Sequence, residues 1–121
     1  MRCPTVEEIV ETNKKLIKLK KITKAERHEL LAPREEIQKT LEKSCGGKDV
    51  YDNAAKMLKG LNQGHFFGSA NKRTSLVSAM NYLRNNNKEI PRRPNKEEAK
   101  FMLDVREGRA SVKDIKRWLK S

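Results

Sequence analysis

Residues 49 to 87 restrict the fold more than any other stretch, because they spell two helices in succession with a short glycine-flanked loop between them. In the first, Val50, Tyr51, Ala54, Ala55, Leu58 and Leu61 form one broad apolar face, opened by Asp49 or Asp52 as a cap and ended by Gly64. In the second, Leu76, Val77, Ala79, Met80 and Leu83 recur at helical spacing from about Ala70 to Asn86, and Asn85-Asn86-Asn87 closes the helix as a turn. Gly64 and Gly68 stand four residues apart in the intervening loop and permit backbone angles closed to other residues, while Ser69 is suited to cap the second helix. The loop therefore delivers a helix N-terminus.

That N-terminus has an unusual charge. Basic side chains complement the helix dipole in the last turn, yet Lys72 and Arg73 stand in the first, at a cost of a few tenths of a kcal/mol each unless an anion answers them. From Asn53 to Lys88 there is no Asp or Glu to neutralise them. Free backbone N–H groups, a positive dipole end and two cations make a phosphate site. Arg73 can grip two oxygens at once, Lys72 offers a mobile point charge and Asn71 a neutral donor. His65, in the loop just before them, carries an imidazole that can accept a proton and is the candidate general base. Phe67 reads as the core anchor that fixes the loop.

The flanking sequence repeats the helical theme. Thr5-x-x-Glu8 is a capping box followed by Val6, Ile9, Val10, Leu16 and Ile17 at helical spacing, which predicts a first helix from about Val6 to Leu19. Residues 18 to 32 have no clean period and read as a connection, with His28 a surface histidine. Pro33, Glu35 and Glu36 open a short second helix carrying Ile37 and Leu41, which stops before Gly46-Gly47. Beyond the central pair, Pro91 and Pro94 exclude helix between them, Asn95-x-x-Glu98 opens a fifth helix that Gly108 ends, and Ser111-x-x-Asp114 opens a sixth with Val112, Ile115 and Leu119 inward and Trp118 near the edge. With no strand pattern and no internal repeat, the expectation is an all-α fold of about six helices, residues 1–121 forming one domain.

Composition narrows the partners. A formal net charge of +12 calls for an anionic one, and nucleotide phosphates, nucleic acid or an acidic protein would each satisfy it. Cys3 and Cys45 have no metal-ligand spacing and are too few for a disulfide scaffold, so they read as free thiols in a reducing compartment, the cytoplasm. No apolar run approaches the ~20 residues needed to span a bilayer, and no signal-peptide core opens the chain, so no membrane association is expected.

Residues 65 to 76 resemble the signature His-x-Phe-x-(Asp/Asn/Glu)-(Gly/Ala)-Asn-(Gly/Lys)-Arg of the Fic/Doc family, and in particular its death-on-curing (Doc) branch, which reads Ala-Asn-Lys-Arg-Thr-x-Leu. His65, Phe67, Ala70, Asn71, Lys72, Arg73, Thr74 and Leu76 fall on the pattern. A weaker likeness runs from Pro4-Thr5-Val6-Glu7-Glu8 to Glu107-Gly108-Arg109-Ala110-Ser111-Val112. The resemblance implies the helical Fic/Doc fold, His65 as catalytic base, and a nucleotide-binding set of Gly68, Ala70, Asn71, Lys72, Arg73 and Thr74. It further implies ATP as phosphate donor, Mg2+ as cofactor, and a Doc-like toxin that phosphorylates a threonine of elongation factor Tu, arrests translation and is neutralised by a small antitoxin protein. Ser69 departs from the family at the metal-holding carboxylate or amide position, and a hydroxyl holds magnesium less well, so weakened metal binding is expected there. The alternatives are Fic-type adenylyl transfer or a non-enzymatic basic module binding nucleic acid or an acidic protein.

Overall fold

The computed structural model describes residues 2–19, 30–90 and 93–121. Among them are six helices in chain order: α1 (Val6–Leu19), α2 (Arg34–Ser44), α3 (Val50–Gln63), α4 (Asn71–Asn85), α5 (Asn95–Arg106) and α6 (Val112–Lys120). No strand occurs among these residues, only an isolated antiparallel bridge between Leu30 and Phe67. The fold is all-α. His28, Ile22 and Pro91 lie outside the described residues.

Local chemistry explains most helix boundaries. Thr5 Oγ1 accepts the Glu8 N–H at 3.2 Å ahead of α1. Asp49 caps α3, accepting the N–H groups of Tyr51 and Asp52, and Ser111 and Asp114 form a full capping box on α6. Gly108 follows α5 at φ 78°, the left-handed conformation that glycine adopts without strain. Asn95 is the first residue inside α5 rather than its cap; Pro94 holds the cap position and makes no side-chain cap bond. Without an N–H, a proline sits easily at a helix start.

α3 is the centre of the packing, touching α2, α4, α5 and α6. Its residues Ala54, Ala55, Met57 and Leu58 are fully buried, in one cluster with Ile9 and Val10 of α1, Ile37 and Leu41 of α2, Ala79 and Leu83 of α4, Val105 of α5 and Ile115 of α6. Side-chain amides, two of them buried, fix the helix register around this core. Asn62 donates to the Met102 carbonyl at 3.1 Å and Gln63 to the Val105 carbonyl at 2.9 Å, tying the end of α3 that leads into the loop to the last turns of α5. Asn53 bonds Gly47 in both directions and donates to the Tyr82 hydroxyl, holding the α2–α3 turn against α4.

Cys3 and Cys45 are joined in a disulfide, contrary to the expectation of free thiols. Packing of α1 on α2 brings the residue ahead of α1 to the residue after α2, with Cα atoms 5.8 Å apart despite 42 positions of sequence separation. Tertiary packing, which spacing does not encode, makes this pairing, and it removes the cysteine argument for a reducing compartment. No helix among the described residues is long and apolar enough to cross a membrane.

Candidate functional site

The loop between α3 and α4 is held from three sides. Phe66 and Phe67 are 6% and 2% exposed and lie in the core cluster, and the Leu31 N–H donates to the Phe66 carbonyl at 2.8 Å. Asn71, in the first turn of α4, closes a reciprocal pair: its Oδ1 accepts the Phe67 N–H at 3.1 Å and its Nδ2 donates to the Phe67 carbonyl at 2.8 Å. From α1, Asn13 donates to the Ser69 carbonyl and to Thr74 Oγ1, both at 3.0 Å.

Two left-handed residues shape the loop, and neither is a glycine. His65 has φ 53° and Ala70 has φ 61°. Gly64, expected to supply unusual backbone angles, is right-handed at φ −68°. A glycine is required there by close approach instead, because a Cβ would lie 2.4 Å from the Phe66 ring and 2.9 Å from the Gly60 carbonyl. The left-handed Ala70 takes the N-cap position of α4 with no side-chain cap bond, so Ser69 does not cap the helix as its residue type suggested. Its Oγ is buried and has no hydrogen-bond partner.

Beside this N-terminus lies an open cavity of about 420 Å3, lined by His65, Gly68, Ala70, Asn71, Lys72, Arg73 and Arg106. His65 and Arg73 are exposed, and Lys72 is half-buried. The Arg106 guanidinium lies with Nη2 3.4 Å from His65 Nε2. Since arginine only donates, this contact requires Nε2 to be the accepting nitrogen. The N–H groups of Asn71, Lys72 and Arg73 have no acceptor within the helix and stand at its positive end. Three cationic side chains thus border one cavity whose lining contains no carboxylate. On electrostatic grounds its complement is a multiply charged anion.

The profile of the Fic/DOC family matches residues 4–83. The chain belongs to the Fic/DOC family. No curated protein matches it. The matched segment runs from ahead of α1 almost to the end of α4, so this Fic/DOC chain carries the loop and the N-terminus of α4 within the matched residues.

The structure sorts the residues singled out from sequence into two groups. His65, Gly68, Ala70, Lys72 and Arg73 border the cavity. Asn71 borders it too, and both ends of its carboxamide are engaged with Phe67, so its side chain clamps the loop while its backbone N–H stands at the helix end. Thr74 is 1% exposed, outside the lining, and its hydroxyl accepts from Asn13. Phe67 lies in the core beneath the loop.

Sequence reasoning missed Arg106 and Asn13. Asn13 was detectable as a polar residue on the apolar face of α1, one turn beyond Ile9 and Val10; Arg106 reaches the site from 41 positions away and left no local signal.

A resident magnesium ion does not suit this donor set. The Ser69 hydroxyl is buried outside the cavity lining, no carboxylate lines the cavity, and the described residues contain no group of three or more His, Cys, Asp or Glu side chains able to hold a metal. Magnesium is held by carboxylate and phosphate oxygens. A second cavity of about 390 Å3 shares Lys72 and Arg73 with the first and is bordered by Leu76, Glu98 and Met102. Lys72 and Arg73 therefore stand between two spaces, one cationic and one mixed apolar and polar.

Proposed function

We propose that this Fic/DOC chain is a Doc-type phosphotransferase, moving the γ-phosphate of ATP to a hydroxyl of a protein target. The observation that carries the reading is the cavity at the N-terminus of α4, where His65, Lys72, Arg73 and three free backbone N–H groups meet in a lining that holds no carboxylate. Lys72 and Leu76 favour this over adenylyl transfer. Adenylyl-transferring Fic proteins carry Gly and Arg at these positions, so their nucleotide orientation would here meet a lysine stem and lose an arginine.

In this mechanism the nucleotide phosphates lie on the α4 N-terminus, with Arg73 and Lys72 as their cationic ligands. The acceptor hydroxyl gives its proton to His65 as its oxygen bonds to the γ-phosphorus, and the bond from that phosphorus to the β-bridging oxygen breaks to release ADP. Charge stabilisation by preorganised donors does most of the work in such transfers. A threonine of elongation factor Tu is the acceptor in this reading, and a small antitoxin protein is the partner that blocks the site.

The test uses ATP labelled at either the α- or the γ-phosphate, with purified elongation factor Tu as acceptor. Label from the γ-position alone supports the proposal, and label from the α-position refutes it in favour of adenylyl transfer. His65→Asn is the informative variant, because asparagine tolerates the left-handed backbone of His65 while lacking a base. It is expected to lower the rate about 10²–10⁴-fold with folding intact.

A further inference from the structure

Arg106 is the one cavity-lining cation that comes from outside the loop and α4, and the way it is held suggests a use. It ends α5, it is exposed, and no carboxylate pairs with it among the described residues; Asp104, two residues earlier, pairs with Arg109 instead. Its guanidinium nonetheless comes within 3.4 Å of His65 Nε2 and borders the same cavity as Lys72 and Arg73. Placing a third cation among these groups is unfavourable without an anion.

The placement is built in. Gln63, two residues before His65, bonds the carbonyl of Val105, one residue before Arg106, and Asn62 bonds the carbonyl of Met102 a turn earlier. Hydrogen bonds from the buried Asn62 and from Gln63 therefore fix the two backbone segments that carry the base and the guanidinium. They set the spacing of the groups on the cavity wall.

We infer that Arg106 is a phosphate-gripping residue of this site, supplying from α5 the second guanidinium that α4 lacks at Leu76, so that Arg73, Lys72 and Arg106 together hold a polyphosphate without a side-chain-bound metal ion. The inference rests on reading the cavity as a phosphate site. On this account the polyphosphate draws the guanidinium from His65 Nε2 onto its own oxygens. That leaves the nitrogen open to an incoming hydroxyl.

The probe is inorganic tripolyphosphate, titrated calorimetrically in the presence of EDTA into the full chain and four variants, each checked for helicity by circular dichroism. The parent is expected to bind without metal. Arg106→Met, which keeps the apolar stem, should weaken binding about 10- to 100-fold, the range of a charge-assisted pair. Arg106→Lys should recover only part of that loss, because a point charge cannot grip two oxygens. Lys59→Met, on α3 and away from the cavity lining, removes the same net charge and should change affinity less than threefold.

Binding within twofold of parent in Arg106→Met, together with a large loss in Arg73→Met, would overturn the role of Arg106 and leave the phosphate site standing. Unchanged binding in both variants would overturn the site itself. A parent that binds only when magnesium is added would refute the metal-independent grip.

Discussion

Asn71 gives the sharpest test of how this loop is built, because its residue type is equally suited to holding a phosphate and to holding the backbone. In the structure it is 8% exposed and makes two hydrogen bonds to Phe67, at 3.1 and 2.8 Å, that replace main-chain pairing across the turn into α4. A typical hydrogen bond contributes roughly 1 kcal/mol net, and a buried group that loses its partner costs about 1–3 kcal/mol. Asn71→Ala removes both bonds at once, with little apolar surface lost. The expected destabilisation is therefore ~2–3 kcal/mol, measured by urea unfolding followed through Trp118 fluorescence. Tripolyphosphate affinity in the folded variant should fall only modestly, through looser placement of Lys72 and Arg73. If unfolding is unchanged within about 0.5 kcal/mol while affinity drops tenfold or more, the carboxamide is a ligand and its role as a clamp is wrong.

Three further outcomes follow from the packing. Reducing the Cys3–Cys45 bridge, or replacing Cys45 with Ser, should lower the unfolding free energy by about 2–4 kcal/mol, as loop-closure entropy predicts for a bridge across 42 positions; equal stability of oxidised and reduced protein would contradict the pairing. Gly64→Ala should cost roughly 1–3 kcal/mol in thermal unfolding, since the new methyl would meet the Phe66 ring and the Gly60 carbonyl; an unchanged melting temperature would refute that close approach. The Lys116 ammonium, bonded to Asp49, holds the Asp49 carboxyl below its usual 3.8, so this charge contributes stability above that pH and loses it as pH falls through the lowered folded value. Asp49→Asn keeps the cap, so it should be less stable than the parent at pH 7 and match it in strong acid; a gap independent of pH would exclude the ion pair as its cause.

The helices were legible where their signals are local. Asp49, Ser111 and Gly108 act on neighbours within a few residues, and their positions in the sequence mark the boundaries found in the fold. Boundaries set by tertiary contact were not legible. Ser69 is a better capping residue than Ala70 by type, but α1 reaches in through Asn13 to bond the Ser69 carbonyl, and the left-handed turn falls at Ala70 instead. The site shows the same division. His65, Lys72 and Arg73 were found because loop and helix are contiguous, whereas Arg106 arrives through the packing of α5 on α3. Asn71, read as a neutral donor, has its carboxamide on Phe67, and Thr74, which the resemblance alone placed in the binding set, accepts from Asn13; neither pairing has a local signal in the sequence.

The two left-handed residues explain why so many contacts converge on so short a loop. A non-glycine residue in that conformation is disfavoured by roughly 1–2 kcal/mol, so His65 and Ala70 together set about 2–4 kcal/mol against the loop's geometry. Burial of Phe66 and Phe67, the Asn71 clamp and the Asn13 tie each oppose relaxation from a different side. Because these restraints act on the backbone and not on the cavity, they leave the side chains of His65, Lys72 and Arg73 directed toward the open space that Arg106 also borders. A loop held in this way presents its cations and free N–H groups before any anion arrives. Under the proposed phosphate-binding role, little ordering cost would remain for binding, so the favourable charge interaction would go into affinity rather than into folding the site.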